Sequence, residues 1–368
     1  MKEKITVFAA AVLAVCSCGY RTDAGADALP VVQRILSDTS SFEHAALKAY
    51  DSSDKYGTIA VTGPLQDVSL FTERLMTCDI FENIDGKPVP DGLPDFAGEI
   101  FAPFYDVASP DYAEYFRAGT TADFREMNVH HAVAAVAHRC SASAWARDSS
   151  TEKLPSKMLV LASSLSYAAA GDIEMLFSRA GSSLPVVSPV KALVDKALET
   201  NGNIAGTGIW ADGDIIASGV YAAAFKDAAP DVENTAEIYE VPDSLSVRER
   251  LFAWLDEYAS TENRTPLSVL LIDSPAVSLH ASEISETLAY ITGSDEPEAL
   301  VYRPLVSAEC KVYDALTAVA DACYRILRES NGFTHRIAYP QKTEYMIVPS
   351  SGDDGKVKYI EMSNVYVQ

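Results

Sequence analysis

Lys157-Met158-Leu159-Val160-Leu161-Ala162-Ser163-Ser164-Leu165-Ser166 decides the fold class of this chain. Met158 to Leu161 is a continuous apolar run of strand length, and Ala168 to Arg179 carries helical periodicity. Small hydroxylated residues stand between them. Buried strand, short polar turn and helix make up the unit from which open α/β sheets are built, and such sheets bind ligands at the carboxyl ends of their strands. Backbone N–H groups and the positive end of the helix dipole meet there and hold an anion without a basic side chain. Ser163, Ser164 and Ser166 therefore read as a ligand cradle. Leu184-Pro185-Val186-Val187-Ser188-Pro189 reads as the following strand end.

The same rhythm extends in both directions. Upstream, Val31 to Ala49 predicts a helix, Tyr56 to Val61 a buried strand ending at Thr62-Gly63-Pro64, and Val68 to Phe81 a helix. Asn83 to Gly98 is dense in Pro and Gly and predicts a structured loop. Ile100 to Tyr105 reads as a strand, Phe124 to Cys140 as a helix, and Trp145 to Ser156 as a polar loop. Downstream, a helix over Val190 to Thr200 ends at Asn201-Gly202-Asn203, where a lobe boundary is placed. The alternation then restarts with strand Ile204 to Trp210, helix Ile215 to Ala228, strand Ala236 to Val241, helix Val247 to Ala259, strand Leu267 to Ile272, helix Ala281 to Ile291 and strand Ala299 to Tyr302. Such alternation implies parallel sheets with helices on both faces. A long helix over Ala308 to Arg328 follows, and Ser351-Gly352-Asp353-Asp354-Gly355 between alternating segments signals a closing hairpin.

Lys2 and Lys4 precede an apolar stretch from Ile5 to Val15, and Val15-Cys16-Ser17-Cys18-Gly19 follows. This is the layout of a secretory leader, too short at its apolar centre to span a bilayer. Ser17 before Cys18 resembles a bacterial lipobox. The expectation is removal of residues 1–18, lipidation at Cys18, a tether and N-terminal helix over 19–54, and a chain anchored in the cell envelope facing the periplasm. The formal net charge of −23 argues against nucleic acid or anionic lipid as a direct partner, since both select a basic face.

Chemistry-bearing residues are scattered. His130, His131 and His138 do not fall one helical turn apart on one face, as ligands of a single metal would, and no metal or cofactor is expected. Cys78, Cys140, Cys310 and Cys323 form no C-x-x-C pair; Cys310 and Cys323 would lie far apart on one helix, and a Cys78–Cys140 bridge stays open. Asp212, Asp214 and Asp273 follow predicted strands, where a carboxylate either faces a ligand or caps the next helix. No G-x-S-x-G elbow, Walker loop or G-x-G-x-x-G is present. An enzymatic alternative places Asp95, Glu99 or Asp273 as acid–base groups beneath the 83–98 loop.

The order of these units resembles the type I periplasmic-binding fold of the branched-chain amino-acid receptor family. Ser163-Ser164 with Ala170, Asp172 and Ile173, then Val187-Ser188-Pro189, is similar to that family's serine loop, helix and next strand end. Tyr105-Asp106 with Pro110 and Ala113, the unit Ile209 to Lys226, Tyr313-Asp314-Ala315-Leu316 and the Gly355 hairpin match in order. The resemblance implies two lobes, over 55–200 and 203–303, with a return segment over 304–368 mainly in the first. It implies a small polar ligand, such as an amino-acid-like one, closed between the lobes, with Ser163, Ser164 and Ser188 on its anionic group, Asp273 from the second lobe and Asp212 at the cleft mouth. Tyr167 and Trp210 would be apolar walls or lobe core. A non-enzymatic solute-binding lipoprotein serving a transporter or sensor is the function implied; the alternatives are a hydrolase-like enzyme and a structural lipoprotein without ligand.

Overall fold

The computed structural model describes residues 29–145, 150–201, 205–229, 237–239, 246–260, 265–336, 338–350 and 357–364. The leader with Cys18, the Gly202-Asn203 boundary and the 351–355 turn lie outside the described residues.

The chain opens with α1 (Pro30–Ser37) and α2 (Phe42–Ala49), where one continuous helix is predicted. The break falls at Asp38 to Ser41. Asp38 turns back on Ser40, and the Ser41 hydroxyl accepts from His44 N at 3.1 Å, starting a second helix. Then come β1 (Thr58–Gly63), α3 (Leu65–Thr77), β2 (Ile100–Asp106), α4 (Ala113–Arg117), α5 (Thr121–Val136), β3 (Arg139–Ser141), β4 (Ser150–Glu152), β5 (Ser156–Leu161), α6 (Tyr167–Arg179), β6 (Val186–Val187) and α7 (Pro189–Asn201). A second run comprises β7 (Thr207–Ala211), α8 (Gly213–Ser218), α9 (Val220–Ala228), β8 (Glu237–Tyr239), α10 (Val247–Ser260), β9 (Leu267–Asp273), α11 (Pro275–Ser278), α12 (Ala281–Gly293), α13 (Pro297–Tyr302) and β10 (Val306–Asp314). The chain ends with α14 (Ala315–Glu329), β11 (Gln341–Lys342), β12 (Tyr345–Pro349) and β13 (Val357–Glu361).

Two predicted elements change type. Ala299 to Tyr302 belongs to helix α13, because Pro297 sits in its first turn, where a missing N–H costs nothing and φ is already helical. Ala308 to Asp314 belongs to the edge strand β10, parallel to β9. Helix begins only at Ala315, after Asp314 accepts from Thr317 N at 2.8 Å. Cys310 is therefore on a strand and Cys323 on a helix. Cys78 and Cys140 are both free, and they belong to cores on opposite faces of the first sheet.

The first sheet runs β4-β3-β13-β12-β2-β1-β5-β6, with β11 also against β2; the second runs β10-β9-β7-β8 and is wholly parallel. Only the β12/β13 and β3/β4 pairings of the first sheet are antiparallel. The α/β class with parallel-rich sheets flanked by helices is therefore as expected. One apolar core joins the two sheets: Ile59, Val61 and Val160 from the first sheet, Ile209, Val269 and Leu271 from the second, and residues of α3, α7, α9 and α14 form a single cluster. A separate core under α10 and α12 holds Trp210 and Trp254, so Trp210 is core of the second sheet and not a cleft wall.

That second core contains one very close approach. A Cβ on Gly208 would stand 2.3 Å from the Trp254 indole, itself fully buried. Gly208→Ala is expected to lower stability by about 3 kcal/mol through overpacking. Urea unfolding checks this, and an unchanged midpoint would mean that the indole has room to withdraw.

Candidate active site between the lobes

The parallel register of β1 with β5, and of β7 with β9, brings two strand ends to the same level in each sheet, and a hydrogen bond from Ser164 to Asp273 joins the two sets. From the first lobe come the Gly63-Pro64 corner, Asp67 in the first turn of α3, and the turn Ser164–Ser166 before α6. From the second come Asp273 at the end of β9, Tyr221 on α9 and Asp212 after β7.

Ser164 Oγ donates to Asp273 Oδ1 across the lobes at 2.7 Å. Ser164 is 4% exposed and Asp273 1%, so this bond is made out of contact with solvent. The other carboxylate oxygen, Asp273 Oδ2, and Tyr221 Oη are buried without a hydrogen-bond partner. They lie near enough for the phenol to draw the pKa of Asp273 downward, although the pair does not meet hydrogen-bond geometry. Ser166 Oγ is a further buried atom without a partner. Unsatisfied polar groups of this kind cost free energy in a folded core, so a cluster of them calls for a reason other than packing.

Burial is the main reason that Asp273 is raised to about 6; Ser164 and Tyr221 oppose the rise and Asp212 adds to it. Asp67 is raised further, to about 7, by burial first and then by the charges of Asp273 and Asp212. Burial is thus the main cause in both, and the neighbouring carboxylates add to it. Both carboxyls therefore titrate well above the usual carboxylate range. No lysine or arginine is among the groups that shift either one.

The linkage sign follows directly. A carboxyl whose folded pKa lies above its unfolded value binds its proton more tightly when folded, so stability falls as pH rises from about 4 to about 6 for Asp273. The penalty is fully present above that window and amounts to about 3 kcal/mol. Asp273→Asn is therefore expected to be more stable than the parent chain at pH 8 and to lose this advantage near pH 4. Chemical denaturation at the two pH values checks it; equal differences at both would show that charge is not the cause.

Other contacts hold the lobes shut around this point. Arg117 on α4 reaches Asp214 on α8 at 2.7 Å, and Tyr167 on α6 donates to Asp227 on α9 at 3.0 Å. Of the residues singled out in the sequence, Ser163, Ser164, Ser166 and Asp273 converge and are buried, and Asp212 is exposed at the margin. Ser188 does not join them through its hydroxyl, which accepts from Lys191 N at 3.3 Å and caps α7. Asp95 and Glu99 lie at the opposite, amino ends of the strands. Asp95 accepts from Ile80 N and Phe81 N, and Glu99 pairs with Lys157. His131 is buried against the Tyr359 ring and burial pushes its pKa down to about 3, whereas His130 is partly exposed between Glu43 and Glu126. Among the described residues no group of His, Cys, Asp and Glu has the arrangement of a metal site.

Asp67 and Tyr221 escaped the sequence reading. Asp67 looks like an ordinary first-turn acid, and Tyr221 occupies an apolar position of its helix. The available signal was Asp67's place, four residues after the Gly63 strand end.

No family model and no curated protein matches the chain. Solved structures similar to it include the glutamate racemase isoform RacE1 of Bacillus anthracis, at 12% identity, TM-score 0.47 and coverage of 80% of this chain and 89% of that one. The glutamate racemase of Francisella tularensis in complex with D-glutamate shows 16% identity, TM-score 0.47 and coverage of 80% and 89%. That of Thermus thermophilus in complex with β-chloro-D-alanine shows 13%, 0.47, and 82% and 90%. These neighbours correct the resemblance drawn from the sequence, because they are glutamate racemases and not branched-chain amino-acid receptors. Solute capture for transport or sensing falls with it, and so does the expectation of a protein without turnover. The geometry is consistent with that correction: a shared core and a buried Ser164–Asp273 bond join the lobes where a receptor would keep a ligand-sized cleft.

Proposed function

We propose that the chain is an enzyme that moves protons at the interlobe site, with Asp273 as base and Asp67 as acid, on a small uncharged or cationic organic substrate. The reading rests on one observation: two carboxyls from opposite lobes are raised to about 6 and about 7 beside the unpartnered Asp273 Oδ2 and Tyr221 Oη. A carboxyl pair poised near neutrality, one holding the proton that the other lacks, suits abstraction of a proton at one point and its return at another. Ser164 positions Asp273 by occupying Oδ1, which leaves Oδ2 for the substrate. Tyr221 supplies a hydroxyl to a developing negative charge.

Charge selects the substrate class. Asp67, Asp212 and Asp273 make the potential negative, and an anionic substrate would have to overcome all three. The D-glutamate held by the Francisella protein is thus a poor guide to the substrate here, whereas an amine or a neutral polar molecule enters with the field. Entry is by way of Asp67, partly exposed, Asp212 and the exposed Leu65.

Solvent exchange tests the proposal. The chain is incubated in D2O with neutral amino acids, amino-acid amides and hydroxy amines, and deuterium incorporation at carbon is followed by 1H NMR. Incorporation that is lost in Asp67→Asn and Asp273→Asn supports the assignment; incorporation that both variants retain, or none with any compound, overturns it. Attachment to a membrane through Cys18 belongs to the same proposal on the leader residues alone. The intact mass of the chain recovered from membranes, with or without a diacylglyceryl group at Cys18, decides that point.

A further inference from the structure

A second cavity of about 560 Å3 opens at the other end of the first sheet, between the 83–98 loop, the end of α14 and the segment after it. Arg328, His335 and Arg336 converge on it, with Tyr324 and Phe333 as its aromatic side. In a chain with 52 acidic and 29 basic residues, two arginines and a histidine around one cavity are unusual company. Among the described residues neither arginine has a carboxylate within ion-pair distance, although the Arg328 charge helps to lower the pKa of Asp85. Arg328 touches Tyr324 Oη at 3.4 Å, and the Arg336 guanidinium lies 5.3 Å from the centre of the Tyr56 ring. The acid that lines the cavity, Asp95, is already committed to two backbone N–H groups at 2.9 Å.

The site is built in advance of any ligand. Gly86 and Gly98, both at positive φ, belong to the loop that flanks it. A Cβ on Gly86 would stand 2.4 Å from the Arg328 guanidinium carbon, and one on Gly98 would stand 2.3 Å from the Arg336 carbonyl. The loop therefore lies directly on both arginine positions and limits their freedom. Behind it, Thr334 N donates to Glu99 at 2.8 Å, Thr334 Oγ1 donates to Gly98 O at 3.0 Å, and Gly98 N donates to Ala338 O at 2.6 Å.

Backbone conformation gives an independent indication. Asn331 and His335 are the described non-glycine residues at positive φ, 51° and 55°, and both line this cavity. Asn331 has a local explanation: it ends α14 in the left-handed conformation, with Gly332 N bonded back to Leu327 O at 2.7 Å. His335 ends no helix, and its side chain is exposed. His335 nonetheless lines the same cavity as Arg328 and Arg336. Strain of this sort collects where a ligand is held.

We propose that this cavity binds the oxyanion group of a small metabolite, with Arg328 and Arg336 on the oxygens, His335 as a third donor and the Tyr324–Phe333 side against the ligand's body. Planar guanidinium groups suit phosphate and carboxylate alike, so the experiment contains both. Thermal shift and calorimetry are run on the full chain with glycerol 3-phosphate, inorganic phosphate and malonate, against sodium chloride at equal ionic strength. The expected result is a saturable rise in Tm with at least one oxyanion and none with chloride. Arg328→Gln/Arg336→Gln should weaken that binding at least tenfold. His335→Gly should weaken it as well, because it removes the third donor. Should the double variant fail to fold, Arg336→Gln alone serves, since its guanidinium lies over the exposed Tyr56 ring. Equal shifts with chloride, no shift with any of the three anions, or full binding by the arginine variants would overturn the proposal. Asp67→Asn should leave the binding intact, which separates this site from the acid–base centre.

Discussion

Asp67→Asn and Asp273→Asn are each expected to lower the rate of solvent-proton exchange by at least ~10²-fold, the contribution usual for a positioned acid or base. The pH profile carries the sharper information. Turnover needs Asp273 ionised, which fails below about 6, and Asp67 protonated, which fails above about 7. The rate should thus follow a narrow bell with its summit between those two values. Ser164→Ala removes a donor that stabilises the Asp273 carboxylate, so it should move the acid limb to higher pH and leave the alkaline limb nearly in place. A profile that is flat from pH 5 to 8, or a Ser164→Ala variant whose acid limb stays put, would mean that these carboxyls do not carry the proton.

Glu99→Ala should be the most damaging single change to the fold, at roughly 3–5 kcal/mol, because it leaves a buried charge without its partner. Lys157 Nζ stands 2.6 Å from Glu99 Oε2 and also donates to Lys55 O at 2.8 Å and Gly332 O at 2.7 Å. Glu99 itself is fully buried, and its other oxygen accepts from Thr334 N. Burial lowers the lysine pKa, and Glu99 is the strongest opposing influence; once it is removed, the ammonium must either shed its proton or draw in water. Lys157→Met combined with Glu99→Leu discards both charges and should recover most of the loss. Urea midpoints of the three chains decide the matter, and a Glu99→Ala cost under ~1 kcal/mol would show that solvent reaches Lys157 freely.

How much was legible follows from what each residue's neighbours in sequence can encode. The β5–turn–α6 unit could be read directly because apolar run, serine turn and helical period are all local, and Ser163, Ser164, Ser166 and Asp273 were recognisable as strand-end residues for the same reason. The change from helix to strand at Ala308 to Asp314 went unread because no Gly or Pro marks it; only the Asp314 cap does. Asp67 meets Asp273 and Asp212 from the opposite lobe, and Tyr221 meets Asp273 from a distant strand of its own lobe, and nothing within a few residues of either says so. The order of units along the chain misled the choice of family. A two-lobe parallel architecture presents the same succession of strands and helices whether its lobes swing on a hinge or grow from one core, and only the packing of α7 and α14 between the sheets tells these apart.

That common core also limits how the chain can be taken apart. Val160, Ile209 and Leu271 belong to one apolar cluster although they come from both sheets, and α14 returns from the second sheet to complete it. A fragment cut between α7 and β7 would expose this cluster on each piece, and the first piece would also lack α14, β12 and β13. Neither half should be obtainable as a folded, soluble domain on its own. A chain split there would have to regain its structure as a complementing pair, or not at all.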